Sequence, residues 1–132
     1  MIIYRLTDRI PVKIAKLTFW IAPLSFEQKS NLLDCKKMEA GKEVVDGGKR
    51  AKLALQYAIK KVDGLKCSDG TDYALKMDEA GNLSDESVDE LSGLNCLGPL
   101  VSVCVGLMNG ITDMKVEGVE INLKGVVSEK KA

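Results

Sequence analysis

The chain has 132 residues, of which 45% are apolar and 29% charged, and its 19 basic and 19 acidic side chains cancel. This size and composition predict one globular domain over residues 1–132, with residues 128–132 frayed. Histidine is absent, which removes the commonest general base and the commonest zinc ligand. The sequence therefore disfavours an enzyme that relies on a Ser-His or Cys-His arrangement or on a zinc site.

The apolar segments of the chain are short. None approaches the roughly 20 consecutive apolar residues of a membrane span, and the first residues hold no apolar run of secretory length. We therefore expect a protein of the cytoplasm that makes no membrane contact. Thiols stay reduced in that compartment, so all the cysteines are expected to be free. They are Cys35, Cys67, Cys96 and Cys104.

The charges are unevenly distributed along the chain. Residues 1–66 carry 14 basic and 7 acidic side chains, whereas residues 67–132 carry 5 basic and 12 acidic ones. Two interpretations follow from this asymmetry. Either the two halves pack together within one molecule, or the basic half of one copy contacts the acidic half of another.

The first third of the chain predicts a β-hairpin followed by a helix. Apolar residues partly alternate over residues 11–23, where β-branched and aromatic types are enriched, and this favours two short strands with a polar connection. Ser25 and Gln28 then form a Ser-x-x-Gln capping box, which predicts a helix over residues 26–38. Gly41 interrupts the pattern.

The longest periodic segment predicts an α-helix over residues 44–62. Small and apolar residues recur there at alternating spacings of four and three, which puts them in one stripe that a neighbouring element can approach closely. The stripe contains Val44, Gly48, Ala51, Leu55, Ala58 and Val62. Asp63 and Gly64 end the helix.

The middle of the chain predicts a second small hairpin and a short helix. Residues 65–77 contain two short apolar stretches around a turn, as expected of paired strands. Leu83 and Val88 flank Ser84 as a hydrophobic staple, which predicts a helix that ends near Ser92.

The last third predicts a buried helix and a terminal strand. Asn95 opens the helix, and Pro99 is tolerated because it lies in or just after the first turn. Residues 100–108 are apolar on nearly every side, which is typical of a central helix that residues 109–110 then end. Residues 114–127 alternate with one change of phase and predict a bulged strand or a loose hairpin. The predicted fold class is α+β, mostly helical, with four to five helices and one or two small β-hairpins.

Three charged motifs are candidates for a catalytic, metal-binding or nucleotide-binding role, and none identifies an enzyme. A predicted acidic helix carries Asp85, Glu86, Asp89 and Glu90, which could bind a divalent ion. The simpler interpretation is a solvated helix face whose acids near the N-terminus interact favourably with the helix dipole. Residues 47–50 lack the Walker spacing, because Arg50 stands where that motif needs Ser or Thr. The basic residues of the 44–62 helix have little aromatic interleaving, so nucleic-acid binding is disfavoured. We assign no catalytic, cofactor-binding or metal-binding residue.

One patch of the 44–62 helix is a candidate for binding a partner. Leu53 and Tyr57 lie on the face opposite the main stripe, with Lys49 and Lys60 around them. An apolar pair within a ring of lysines is a common design for a protein contact. The alternative is that another element of the same molecule covers both residues, and the sequence does not choose between the two.

Several stretches taken together resemble one family, the tail assembly chaperones of long-tailed, lambda-like phages (siphoviruses). They are LTDRIPVKI at residues 6–14, PLSFEQK at 23–29, GKRAKLALQYAIKKVDG at 48–64 and DGTDY at 69–73. The similarity extends over residues 6–110. It lies in the general composition and the order of these stretches, not in a motif of chemically reactive residues.

The resemblance implies a small, mostly helical and non-enzymatic viral protein. Members of that family oligomerise around the tape measure protein, recruit tail tube subunits in the host cytoplasm and are absent from the mature virion. Many also have a longer product made by frameshifting. The resemblance implies no catalytic residue, no metal and no cofactor. The alternatives are a small nucleic-acid-binding regulator and an enzyme subunit of phage or bacterial origin.

Overall fold

The computed structural model describes residues 3–108, 118–122 and 125–128. It is 34% helical and 30% strand, so the prediction of a mostly helical fold is wrong. The described helices are α1 (Phe26–Leu33), α2 (Gly47–Ala58), α3 (Asp85–Leu91) and α4 (Leu97–Met108). The described strands are β1 (Asp8–Ile14), β2 (Leu17–Ile21), β3 (Lys36–Glu39), β4 (Lys42–Val45), β5 (Ile59–Asp63), β6 (Val119–Ile121) and β7 (Val127–Ser128).

An antiparallel sheet of five strands replaces the isolated hairpin that the sequence predicted. Its order is β5-β2-β1-β6, and β7 also pairs with β1. The predicted hairpin itself is confirmed, because β1 pairs with β2 from Ile10 opposite Ile21 to Ile14 opposite Leu17. The strands that extend it, β5 and β6, come from segments predicted as a helix end and as a terminal strand.

The two faces of the sheet follow from the alternation of side chains along each strand. One face is buried beneath the helices and carries Ile10, Val12, Ile14, Phe19, Ile21, Ile59 and Val62. The other face carries the exposed Lys13 and the half-buried Trp20. The core of the molecule therefore lies between one face of this sheet and the helices.

Helix α1 begins as predicted and ends earlier. Ser25 accepts a hydrogen bond from the Gln28 amide, and the Gln28 side chain accepts one from the Ser25 amide, so the capping box is confirmed. The helix stops at Leu33, and β3 begins three residues later, so the predicted helix over residues 26–38 is wrong beyond Leu33. Cys35 is buried at this junction, where its carbonyl accepts the Asp46 amide and closes the base of the β3–β4 hairpin.

Helix α2 is shorter at both ends than the predicted helix over residues 44–62. The Asp46 side chain caps it by accepting the Lys49 amide, and β4 occupies the residues before that cap. At the other end the chain leaves the helix after Ala58 and forms β5, which pairs with β2 at the edge of the main sheet. Ile59 and Val62 are buried in this strand. A strand can therefore bury Val62, the residue that the helical spacing from Ala58 also predicts to be buried.

The second predicted hairpin is wrong as a pair of strands. Residues 65–77 contain a turn around Gly70, and only isolated bridges remain, between Lys66 and Asp72 and between Met77 and Leu83. The segment makes a few hydrogen bonds within itself, among them one from the Tyr73 amide to the Leu65 carbonyl, and it also bonds to α3, since the Lys76 amide donates to the Ser87 hydroxyl.

Helix α3 is capped as predicted. The Ser84 side chain accepts the Ser87 amide, and the staple residues Leu83 and Val88 are both buried. The helix ends at Leu91, with Ser92 as its C-cap.

Helix α4 is the strongly apolar helix of the sequence prediction. Leu100, Val103 and Cys104 are fully buried, and Pro99 is its third residue, where no intrahelical N–H is required. It packs against α2 over the sheet. Along the described stretches of the chain, no helix is long and apolar enough to cross a membrane.

The terminal predictions are tested only in part. The bulged strand or loose hairpin predicted over residues 114–127 is replaced by two short strands, β6 and β7, each of which pairs with β1. Ser128, the first of the residues 128–132 predicted to be frayed, pairs with Asp8 in the sheet, so the prediction is wrong at that residue. The predicted helix end at residues 109–110, the first part of the predicted terminal segment and residues 129–132 lie outside the described residues.

Candidate interaction surface

The apolar pair predicted to bind a partner is largely covered within the molecule. Leu53 and Tyr57 are half-buried and pack against the core. The Tyr57 hydroxyl accepts a hydrogen bond of 3.1 Å from the amide nitrogen of Asn31, a residue of α1. Of the two interpretations of this pair, the structure favours cover by another element of the same chain.

The two lysines predicted beside that pair lie on different elements. Lys49 is exposed on the first turn of α2, where its backbone amide donates to the capping carboxylate of Asp46. Lys60 belongs to β5, and its ammonium donates a 2.9 Å hydrogen bond to the Gly81 carbonyl. The helical geometry that placed Lys60 beside Tyr57 therefore does not hold.

Four other large apolar side chains that are exposed lie close together in the sequence, two on α1 and two on the β3–β4 hairpin that follows it. The exposed fractions are 86% for Phe26, 60% for Leu33, 68% for Met38 and 55% for Val45. Exposed large apolar side chains that occur together mark contact surfaces more often than scattered ones do. We call these four residues the α1–hairpin surface.

The helical part of the α1–hairpin surface has a simple geometric origin. Phe26 and Leu33 are seven residues apart, so they lie two turns from each other on one side of α1. Leu32 is about 100° away from Leu33 around the helix, and it is fully buried in the core. The capping box therefore starts a helix that is apolar on both its buried and its exposed faces.

The hairpin part of the surface is a separate two-stranded sheet. Strand β3 pairs with β4 from Lys36 opposite Val45 to Glu39 opposite Lys42, and in the described parts of the chain it joins no other strand. Lys36 and Glu43 form an ion pair of 3.2 Å across the strands. Seven of its eight strand residues are exposed, so solvent reaches both of its faces.

Sequence reasoning missed this hairpin although a turn signal was present. Ala40 and Gly41 both have positive φ, at 53° and 78°, as a two-residue hairpin turn with right-handed strand twist requires. The charged strands on either side showed no apolar alternation, because neither face is buried. Without that alternation, the sequence pattern indicates only an interruption between two helices at Gly41.

Three of the four acids of the acidic helix face lysines of the same molecule. Asp85 accepts hydrogen bonds from Lys52 and Gln56, and the Lys52 bond, ahead of the Gln56 bond, holds the pKa of Asp85 below its ordinary value. Lys76 lies 2.5 Å from Glu86 and 3.9 Å from Glu90, and its hydrogen bond to Glu86 raises the pKa of Lys76.

These ion pairs concern two interpretations of the acidic residues: contact between the basic and acidic halves of the chain, and binding of a divalent ion by the acidic helix. The contact between Lys52 and Asp85 joins the basic and acidic halves of one chain, which is the intramolecular interpretation of the charge asymmetry. Among the residues that the structure describes, no three His, Cys, Asp or Glu side chains form a group that could hold a metal ion.

A cleft of about 460 Å³ lies between β5 and residues 72–77. Its carboxylates are engaged with fixed neighbours. Asp63 accepts the indole N–H of Trp20 at 2.8 Å, and Asp72 is paired with Lys66. The cleft thus presents fixed ion pairs rather than acids that converge on a reacting atom.

All four cysteines are free thiols in three different environments. Cys35 and Cys104 are buried, and burial raises the pKa of the Cys104 thiol to about 12. Partial burial raises the pKa of Cys96 as well. Cys67 is exposed in the turn that precedes Gly70.

Comparison of the chain with protein-family models, with curated proteins and with solved structures finds no match.

Proposed function

We propose that this protein is a tail assembly chaperone of a long-tailed phage. In that role it is not an enzyme: it oligomerises around the tape measure protein, recruits tail tube subunits in the host cytoplasm and is left out of the mature virion. The observation that carries the proposal is the α1–hairpin surface. It adds to the resemblance of the sequence to that family.

The exposed face of α1 suits a long helical partner. Phe26 and Leu33 present two apolar anchors two turns apart, which is the spacing that a second helix meets with its own apolar stripe. Large side chains at the centre of an interface contribute most of its binding energy, and such residues cost about 2 kcal/mol or more when truncated. Leaving both in water has no benefit for the free protein, so a partner accounts for them.

The contrast between unpartnered apolar side chains and paired acids also supports a binding role over an enzymatic one. The large apolar side chains of the α1–hairpin surface face solvent, whereas the acids of the cleft and of α3 described above are held by lysines, Trp20 or Gln56. Catalysis requires polar groups that converge on a free position, and binding requires accessible apolar area.

Co-expression with the tape measure protein of the same phage tests the proposal. We expect the tape measure protein to become soluble and to co-elute with this chain in size-exclusion chromatography, and we expect added tail tube protein to join that complex. Phe26→Asp together with Leu33→Asp should abolish co-elution without loss of helix by circular dichroism. Leu6→Asp is the matched control, because Leu6 is 57% exposed outside this surface and should leave binding intact.

Two results would contradict the proposal. One is a tape measure protein that remains insoluble, or elutes alone, in the presence of the unaltered chain. The other is a retarded band when the chain is mixed with DNA or RNA at physiological salt, which would favour the nucleic-acid-binding alternative.

A further inference from the structure

The outer edge of β3 carries backbone groups that lack partners in the described structure. In a hairpin with a two-residue turn, the residues that flank the turn exchange both of their backbone hydrogen bonds, and the pattern then alternates along the strands. Glu39 and Lys37 thus bond to β4. The N–H and C=O groups of Lys36 and Met38 point the other way, and no described backbone hydrogen bond reaches them.

Such an edge favours the addition of another strand. A lone two-stranded hairpin is marginally stable in water, and a third strand supplies both hydrogen bonds and apolar contact. Strand β3 contains no proline and no bulge that would block its outer edge. The side chains along it therefore decide which strand fits.

A second copy of β3 fits in one register better than in the other. Two antiparallel copies related by a two-fold axis can centre on Met38 or on Lys37. Centring on Met38 lets that residue exchange both backbone hydrogen bonds with its own equivalent, and it sets Lys37 opposite Glu39 of the second copy. Centring on Lys37 sets two like charges directly opposite each other, which is destabilising.

We propose that two copies of this chain join through β3 in the register centred on Met38, forming a continuous sheet of the order β4-β3-β3-β4. Two Lys37 to Glu39 pairs and one contact between the Met38 side chains then lie at the interface. Lys37 and Glu39 form a non-hydrogen-bonded pair, in which opposing side chains come closest. The inference identifies the self-contact of the oligomer and rests on the proposed function for its biological meaning.

Charge-reversal variants at positions 37 and 39, made singly and together in the full chain, test the contact by sedimentation equilibrium. Lys37→Glu alone and Glu39→Lys alone should each weaken self-association about tenfold, because each replaces two attractive cross-strand pairs with two repulsive ones. The double variant should restore it, and so should a mixture of the two single variants. Lys49→Glu is the control for net charge, since Lys49 is exposed on α2 and should have little effect.

Cross-linking determines the register. In a background of Cys67→Ser and Cys96→Ser, Met38→Cys should form an intermolecular disulfide on mild oxidation, because hydrogen-bonded pairs hold their Cα atoms about 5.5 Å apart. Lys37→Cys should cross-link much more slowly, because the two equivalent positions would be about 8 Å apart.

The outcomes separate this contact from the proposed function. Single charge variants that associate normally, a mixture that restores nothing, or faster cross-linking at position 37 than at position 38 would each overturn the β3 contact. A chain that passes these tests but does not bind the tape measure protein would keep the contact and contradict the assembly role.

Discussion

The carbonyl oxygen of Lys16 lies 2.7 Å from the position that a β-carbon on Gly64 would occupy. Lys16 is in the turn between β1 and β2, and Gly64 follows β5 with φ at 91°. This close approach lets the chain leave β5 directly beneath the turn of the neighbouring hairpin. A side chain at position 64 therefore meets backbone atoms that cannot move aside cheaply.

Gly64→Ala should destabilise the protein more than a glycine substitution at another left-handed position. Gly70→Ala is the matched control, because Gly70 has a φ of 86° but open space around its β-carbon position. The left-handed conformation alone costs an L-residue about 1–2 kcal/mol, and the clash adds a further cost of about 1–3 kcal/mol. Urea unfolding of both variants measures the difference, and equal free energies of unfolding would show that the approach to Lys16 is not constraining.

Ser87→Ala should cost about 1–3 kcal/mol of stability, because it leaves buried polar groups without partners. The Ser87 hydroxyl is completely buried, accepts the Lys76 amide at 2.9 Å and lies 3.2 Å from the Tyr73 hydroxyl. Ser102→Ala is the control, since Ser102 is exposed on α4. Thermal unfolding by circular dichroism should show a clear decrease in Tm for the first variant and almost none for the second.

Leu53→Asp should unfold or strongly destabilise the chain, whereas Phe26→Asp should not. Leu53 is half-buried against the core, so a carboxylate there loses apolar contacts and part of its hydration, while Phe26 is 86% exposed. Denaturant midpoints of the two variants provide the measurement. If Leu53→Asp folds normally and loses only tape measure binding, the partner surface predicted around Leu53 and Tyr57 is correct after all.

Alkaline pH should destabilise the protein in part through Cys104. Its pKa is raised to about 12 in the folded state, against about 8.5 for an unperturbed thiol, so the folded state holds the proton more tightly than the unfolded state. The stabilising contribution is complete below pH 8.5 and is lost as the pH rises towards 12. At pH 10 the loss amounts to about 2 kcal/mol.

Cys104→Ala isolates that contribution. The variant should be less stable at neutral pH, because it leaves a small cavity, but the difference from the unaltered protein should shrink as the pH rises. Guanidinium unfolding between pH 7 and 11 measures it. A difference that stays constant across this range would mean that the thiol does not ionise on unfolding.

The elements that the sequence predicts well are those with a local cause. The capping box at Ser25, the cap at Ser84 with its staple, and the alternation of the first hairpin each depend on residues within a few positions of one another. Chain-local hydrogen bonds and side-chain contacts decide these features. The prediction of the apolar α4 succeeded for a similar reason, since its composition alone requires burial.

The errors arise where a distant strand outweighs a local pattern. Residues Ile59 and Val62 continue the helical spacing of α2, yet β2 binds their segment as an edge strand. The strand pairing of β6 with β1 likewise depends on contacts between residues near both ends of the chain. Because no local pattern contains these pairings, the sequence overestimated the helical content.

The predicted patch around Leu53 and Tyr57 has a different geometry in the structure because one helix was predicted too long, and its role in binding a partner stays a prediction. With Lys60 placed on a helix, Leu53 and Tyr57 seemed to lie on a free face, whereas α1 lies against that side in the structure. Two of the exposed residues, Met38 and Val45, lie on strands with almost no apolar alternation. Hydrophobic periodicity identifies the face of an element that packs against the core, so it does not identify an element that is exposed on both faces.

The pairing of Val12 with Ile121 sets the order in which the sheet can be completed during protein synthesis. Strands β1 and β2 can pair as soon as both leave the ribosome, but the other edge of β1 must wait for about 100 further residues. At typical translation rates of about 5 to 20 residues per second, that delay is roughly 5 to 20 s. Throughout it, the nascent chain exposes an unpaired, apolar strand, which makes this interval the time when the polypeptide is most prone to aggregate on the polysome.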